Sequence, residues 1–322
     1  MKKKVFLTRT LHDFALKELR KKYQIEIHSG KIPIPQTILR SKIKEIDGLI
    51  CFPYDSINKK IIEEGKNLKV ISTYSVGFDH IDIEYAKEKK IRVGFTPEVL
   101  TDATADMAFL LLLDIARRVT EGDRIIREGK WKDIYGAFDY VGVDLQGKTI
   151  GILGLGRIGS TLAKRAKAFD MKIIYHNRKP VTKSKEKSLG AKYVSFEKII
   201  TQSDFLSIHV PHTKETDRLF DMKIFRKMKK TAFLINTSRG KVVNEKDLAI
   251  ALERKIISGA GLDVFDKEPI KKNHPLVKLP NIVLAPHIGS STKETRIKMA
   301  EITVKNLNLG INGKKPIHSV GY

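Results

Sequence analysis

The stretch from Lys148 to Ala163 constrains this chain more than any other. A short apolar run, Thr149 to Leu153, ends in Gly154, and a pattern compatible with a helix begins near Arg157. Between them Gly154, Gly156 and Gly159 form G-x-G-x-x-G. Gly154 permits a tight turn, Gly156 lets a pyrophosphate approach the backbone, and Gly159 lets the helix pack closely on the strand. The helix N-terminus adds free N–H groups and a partial positive charge. A strand before the glycines and a helix after them predict a dinucleotide-binding turn rather than an ordinary strand-to-helix turn.

That turn lies mid-chain, and regular alternation surrounds it. Strand-like runs fall at 4–8, 24–28, 48–51, 70–72 and 92–94, separated by helical patterns at 12–22, 41–46, 57–64 and 83–89. A long helical pattern covers 101–129, and its broad apolar face (Ala105, Ala108, Phe109, Leu112, Leu113, Ala116) suggests a crossing between domains or a subunit interface, with a buried core helix as the alternative. Strands then recur at 149–153, 172–175, 204–208, 232–235, 259–262 and 282–285, and a closing helix spans 291–310. Alternation of this kind predicts α/β architecture with two doubly wound parallel sheets. The 322 residues suit two domains.

Composition narrows the function classes. The longest apolar run, Met107 to Leu113, is too short to span a bilayer, and Met-Lys-Lys-Lys precedes no signal-peptide core. A single cysteine, Cys51, excludes an intrachain disulfide framework, so a reducing, cytoplasmic setting is expected. The net charge of +24 favours anionic ligands. The lysines are dispersed and sit beside glutamates without interleaved aromatics, so no specific nucleic-acid partner and no membrane partner are expected.

Polar residues stand at strand ends. After the second strand of the glycine unit, where an acidic residue would take the ribose hydroxyl of NAD, the chain reads Tyr175-His176-Asn177-Arg178-Lys179-Pro180. Asn177, Arg178 and Lys179 offer donors and positive charge to a 2′-phosphate, so NADP(H) is expected over NAD(H), which stays open. Otherwise the two cations are ordinary members of a lysine-rich surface. Downstream stand Arg239 in Asn236-Thr237-Ser238-Arg239-Gly240, Glu268 in Asp266-Lys267-Glu268-Pro269, and His287 in Ala285-Pro286-His287-Ile288-Gly289. Arginine clamps a carboxylate, histidine delivers a proton to a carbonyl oxygen, and a neighbouring carboxylate orients the imidazole. A further strand-end turn, Ser75-Val76-Gly77-Phe78-Asp79-His80-Ile81-Asp82, leads into a helical pattern for which Asp82 is the expected cap.

With these motifs in this order, the chain resembles the D-isomer-specific 2-hydroxyacid dehydrogenase family over roughly residues 4–315, most closely its glyoxylate/hydroxypyruvate reductase branch. The resemblance implies a flavodoxin-like substrate domain built from residues 1–99 and 289–322, a Rossmann cofactor domain at 100–288, and an active-site cleft between them. It implies that Val76 and Gly77 backbone N–H groups hold the substrate carboxylate. Arg239 would bind the carboxylate and carbonyl oxygen, His287 would donate the proton, and Glu268 would tune it. The cofactor contacts it implies are Thr104, Gly154, Gly156, Arg157, Ile158, Gly159, Val210, Pro211, Thr213, Thr237, Ser238, Asp263, His287 and Gly289. No metal is expected, and a homodimer through the cofactor domain is. The branch commonly carries a second tryptophan soon after the Gly-x-Trp seen here at Trp131, where it helps to shape the partner subunit's active site; in this chain Ile134 or Tyr135 stands near that place. Expected activity is reduction of a small 2-keto acid. The alternatives are D-3-phosphoglycerate dehydrogenase with NAD, and an NAD(H)-sensing, corepressor-like binding protein.

Overall fold

Parallel strands covered on both faces read as near-continuous apolar runs, and several strands of this chain are buried along their whole length. The computed structural model describes residues 2–321. It divides into two units: residues up to Leu100 with those from Ser291 onward, and Thr101–Ser290. The first unit opens with β1 (Lys4–Leu7), α1 (Asp13–Lys22), β2 (Gln24–Ile27), α2 (Gln36–Ile43), β3 (Gly48–Cys51), α3 (Lys59–Glu64), β4 (Val70–Thr73), α4 (Ile83–Glu88) and β5 (Arg92–Gly94). Asp82 caps α4 as expected, its Oδ1 accepting from Tyr85 N at 3.0 Å. The helix expected at 41–46 lies earlier, at Gln36–Ile43, because Leu39 and Ile43 supply the face that the core buries.

The second unit runs through α5 (Thr101–Arg117), α6 (Val119–Arg127), β6 (Thr149–Leu153), α7 (Arg157–Ala168), β7 (Lys172–His176), α8 (Lys183–Leu189) and β8 (Ala191–Tyr193). It continues with α9 (Phe196–Gln202), β9 (Phe205–Ile208), α10 (Met222–Phe225), β10 (Phe233–Asn236), α11 (Glu245–Glu253), β11 (Gly259–Leu262) and β12 (Ile282–Leu284). Its sheet order is β12-β11-β10-β9-β6-β7-β8, all parallel. The order reverses between β6 and β9, and open sheets of this kind bind ligands beyond the strand ends at such a reversal.

Three expectations need correction here. The helix read as continuous from 101 to 129 breaks at Arg118, whose φ of 57° is left-handed. Asp114 stabilises the break by accepting from Thr120 N at 2.7 Å. The broad apolar face of α5 is not left for another domain or subunit: Ala105, Ala108, Leu112 and Ala116 pack in one core with Ile150, Ile152, Phe233 and Ile235. On α5 itself Leu110 is exposed, and the two most exposed large apolar residues come later, Ile134 at 94% and Phe138 at 95%. Finally, α8 and β8 add an unanticipated seventh strand.

The chain then returns to the first unit with α12 (Lys293–Ile311) and β13 (Ser319–Val320). That sheet has the order β13-β5-β4-β3-β1-β2, and only β13 runs antiparallel. Polar bonds lock α12 onto it: Ser72 Oγ donates to Thr303 O at 2.8 Å and Tyr74 Oη to Arg296 O at 2.7 Å. Gly310 permits the closest approach, since a Cβ there would lie 2.3 Å from Val70 Cγ2. Among the described residues no helix is long and apolar enough to cross a membrane.

Candidate active site

The glycine turn follows β6 and behaves as its spacing demands. Gly154 has a φ of +99°, and a Cβ on it would lie 2.7 Å from His209 O. Gly159 lies against the turn itself, where a Cβ would meet Gly154 O at 2.3 Å. Gly156, which precedes α7, has no atom within 4 Å of the corresponding position. Two glycines are therefore required by packing, while the middle one leaves room for a ligand beside the helix N-terminus. Arg157 and Ile158 open that helix.

The end of β7 braces this turn. Asn177 Oδ1 accepts from Leu155 N at 2.6 Å, so the side-chain carbonyl is committed to the protein and only its amide nitrogen is available to a phosphate. Arg178 and Lys179 are exposed. The next loop is held by Tyr175, whose hydroxyl donates to Glu186 Oε1 at 2.8 Å and accepts from Val181 N at 3.0 Å. Burial, with Glu186 beside it, pushes the Tyr175 phenol up to about 12. Thr213 donates to Glu215 Oε2 at 2.6 Å. That bond, with smaller help from the charge of Arg178, keeps the Glu215 carboxyl below the ordinary range. Val210 is half-buried and Pro211 exposed.

Arg239, Glu268 and His287 sit on three loops of the second unit that are tied to one another. Asn236, at the end of β10, accepts from Ser238 N at 3.0 Å and from Ser238 Oγ at 2.9 Å, and donates to Arg239 O at 2.9 Å. Arg239 is half-buried and its Nη1 donates to Ser238 O at 2.8 Å. Gly240 runs so close to the next loop that a Cβ there would lie 1.9 Å from the Phe265 carbonyl carbon. In that loop Glu268 accepts from Phe265 N through Oε1 at 2.8 Å and meets His287 Nδ1 through Oε2 at 2.7 Å. The imidazole is oriented by a carboxylate that is itself oriented by backbone.

His287 has a left-handed φ of 55°, uncommon for a residue with a side chain. Asp263, only 1% exposed, holds the following residues: its oxygens accept from Ile288 N at 2.8 Å and Gly289 N at 2.7 Å. Burial pushes the Asp263 carboxyl above its usual range, and the two donors oppose that by favouring the charged form. Thr104 of α5 lies beside Gly289, its Cγ2 3.5 Å from where a Cβ would be. Thr237 is buried and its Oγ1 has no partner among the described residues, as expected of a donor awaiting a bound group. The open position at Gly156 and this orphaned hydroxyl fit a dinucleotide.

The supporting residues Asn236, Glu245 and His209 escape motif reading. Asn236 has a local signal, an Asn at a strand end before Thr-Ser, where its side chain can fold back on the backbone. Glu245 accepts from Asp266 N at 2.7 Å, a contact made only by the fold. Val76 and Gly77 belong to the first unit, in the loop after β4, and both are half-buried. Among the described residues neither backbone N–H donates a hydrogen bond.

A family model described as the D-isomer-specific 2-hydroxyacid dehydrogenase NAD-binding domain matches residues 109–289, more than half of the chain. The chain belongs to the D-isomer-specific 2-hydroxyacid dehydrogenase family. Members of this family are oxidoreductases that interconvert 2-keto and 2-hydroxy acids. The chain is 48% identical over 319 residues to the glyoxylate reductase of Thermococcus litoralis, covering 98% of this chain and 96% of the relative. It is 45% identical to that of Pyrococcus horikoshii, with coverages of 98% and 95%. A protein from Thermus thermophilus superposes with a TM-score of 0.91 at 43% identity, covering 98% of this chain and 99% of that one. An NADPH-dependent glyoxylate/hydroxypyruvate reductase from Sinorhizobium meliloti, solved with NADP and malonate, gives 0.87 at 28% identity, with coverages of 100% and 97%.

His209, under the glycine turn, yields a stability prediction. Its Nε2 lies 2.8 Å from Ser207 Oγ, and burial lowers its pKa to about 4. The unfolded chain binds a proton on this residue below about pH 6.5. The folded chain does not until about pH 4. Stability therefore falls on acidification through that window, by up to about 1.4 kcal/mol per pH unit. Urea unfolding at pH 7 and pH 5 should show a smaller drop for His209→Gln than for the parent, by roughly 1–2 kcal/mol. Equal drops refute the assignment.

Proposed function

We propose that this dehydrogenase reduces glyoxylate and hydroxypyruvate to the 2-hydroxy acids with NADPH. The observation that carries the reading is the His287–Glu268 pair, 2.7 Å apart, on loops packed against the one that presents Arg239. When bound, the reduced nicotinamide supplies a hydride to the carbonyl carbon. The backbone of Gly154, Gly156 and Gly159 with the start of α7 would hold its pyrophosphate, and Arg178, Lys179 and the amide of Asn177 its 2′-phosphate. Thr104, Arg157, Ile158, Val210, Pro211, Thr213, Thr237, Ser238, Asp263, His287 and Gly289 would complete the contacts.

The residues of the chain then divide the remaining work. The N–H groups of Val76 and Gly77 take the substrate carboxylate. Arg239 holds that carboxylate and polarises the carbonyl oxygen, a two-point grip suited to its planar fork. With Nδ1 turned to Glu268, His287 has Nε2 as the nitrogen that gives the carbonyl oxygen its proton. Glu268 offsets the imidazolium charge and fixes the ring. The names of the archaeal relatives support glyoxylate as substrate, and the NADP complex of the Sinorhizobium enzyme supports the phosphorylated cofactor.

The test follows NADPH and NADH oxidation in parallel with glyoxylate, hydroxypyruvate, pyruvate and phosphohydroxypyruvate. Fast turnover of the first two with NADPH is expected, and turnover of phosphohydroxypyruvate alone refutes the substrate reading. His287→Ala should lower kcat roughly 10²–10⁴-fold with little change in cofactor affinity. Arg239→Ala should depress kcat/KM for the keto acid, and near-parental values in either variant would remove that residue from the mechanism. Arg178→Asp should shift the NADPH/NADH ratio of kcat/KM toward NADH, and an unchanged ratio would show that its charge reads no phosphate.

A second copy of the chain is the proposed cover for the apolar residues after α6. Ile134 and Phe138 are almost wholly exposed, which is unusual for a monomer surface. Light scattering should give twice the chain mass of 36.5 kDa. The double variant Ile134→Asp, Phe138→Asp should move the mass toward one chain, whereas a parent of single-chain mass would refute the dimer.

A further inference from the structure

The loop that carries Val76 and Gly77 is held from beneath by a directed chain of hydrogen bonds. Ser75 O accepts from Thr96 N at 2.8 Å, which fixes the peptide plane whose N–H belongs to Val76. Ser75 Oγ donates to Gly77 O at 2.6 Å, which fixes the peptide plane two residues on. The peptide bearing Gly77 N–H lies between these two fixed planes. Phe78, the next residue, sets its ring edge-on to Phe95 at 5.5 Å.

Proton counting gives the chain a direction. Ser75 has one hydroxyl proton and it goes to Gly77 O. Thr73 Oγ1, 2.7 Å from Ser75 Oγ, must therefore donate to Ser75. Thr73 has then used its own proton, so at its 3.0 Å contact with His80 Nε2 it can only accept. His80 Nε2 carries a hydrogen. Thr73 and Ser75 are buried, and a buried polar chain of this kind is rigid only when every member is satisfied. The His80 backbone is anchored independently, its carbonyl accepting from Ile57 N at 2.8 Å. Cys51 Sγ, 3.9 Å from Nε2, is a weaker second neighbour.

We infer that His80 is a positioning residue for the substrate: through Thr73 and Ser75 it holds the Gly77 carbonyl inward and keeps the Val76 and Gly77 N–H groups set for a carboxylate. This rests on the proposal that those two donors take the carboxylate. Nothing in the inference requires His80 to touch the substrate, so its loss should act on KM rather than on the chemical step.

Steady-state kinetics with glyoxylate and NADPH test it on four variants. His80→Leu removes the donor, and His80→Gln retains a side-chain N–H. Thr73→Val removes the hydroxyl at similar volume, and Thr73→Ser restores it. His80→Leu and Thr73→Val should raise the glyoxylate KM about tenfold, the effect of losing roughly 1.4 kcal/mol, with kcat and the NADPH KM within about twofold. His80→Gln and Thr73→Ser should return KM toward the parent value. Folded donor-less variants with parental KM, or equal damage in all four, overturn the inference. Should those variants not fold, nitrogen-15 spectra of the parent protein decide the tautomer: a proton on His80 Nε2 supports the chain, and an unprotonated Nε2 overturns it. Absence of keto-acid turnover by the parent, with Nε2 protonated, instead overturns the functional reading on which the positioning role stands.

Discussion

The loop that carries His287 depends on one buried carboxylate. A charge removed from water must be compensated where it lies. Asp263 meets that demand with the backbone N–H groups of Ile288 and Gly289. The compensation shapes the loop after β12, and His287 is carried into a left-handed conformation just before the two donors. The ring then reaches Glu268, whose other oxygen is occupied by Phe265 N. Backbone thus supports carboxylate, and carboxylate supports imidazole, so the orientation of His287 is set by bonds that no substrate has to make. Gly240 and Asn236 bring the arginine loop into the same assembly by close contact and by a side-chain fold-back.

The sequence made the strands and the glycine turn legible because both are written locally. Buried parallel strands need unbroken apolar runs, and the turn needs glycine where a Cβ would meet backbone. Other elements were illegible for physical reasons. α8 reads Lys-Ser-Lys-Glu-Lys-Ser-Leu, with little apolar signal, and buries Glu186 against the Tyr175 hydroxyl, a pairing that only the fold creates. The break at Arg118 has no Gly or Pro to mark it; it depends on Asp114 capping the residues beyond. The apolar face of α5 was plain, but its periodicity could not say that the sheet of its own unit covers it. At the site the motifs exposed Arg239, Glu268 and His287 as residue types, whereas Glu245 and the His80–Thr73–Ser75 chain emerge only when distances are known.

On the proposed cofactor reading, one side chain has two obligations. Asn177 stands where an acidic residue would select the unphosphorylated ribose, yet its carbonyl is bonded to Leu155 N inside the glycine turn. The residue therefore couples the shape of the pyrophosphate turn to the chemistry at the end of β7. Arg178 and Lys179 remain the strong cationic features there, and Glu215 tempers the first of them.

The two units also differ in how the chain supplies them. The second is one continuous segment, whereas the first needs α12 and β13 from the far end of the sequence. On a ribosome, which releases the chain from its N-terminus, the five parallel strands of the first sheet emerge early and wait through nearly two hundred residues for the helix that seals them. The nucleotide-binding unit has its whole sequence in hand sooner. The order of synthesis and the order of completion are therefore reversed, and the apolar face later covered by α12 stays open to misassociation until that helix has emerged.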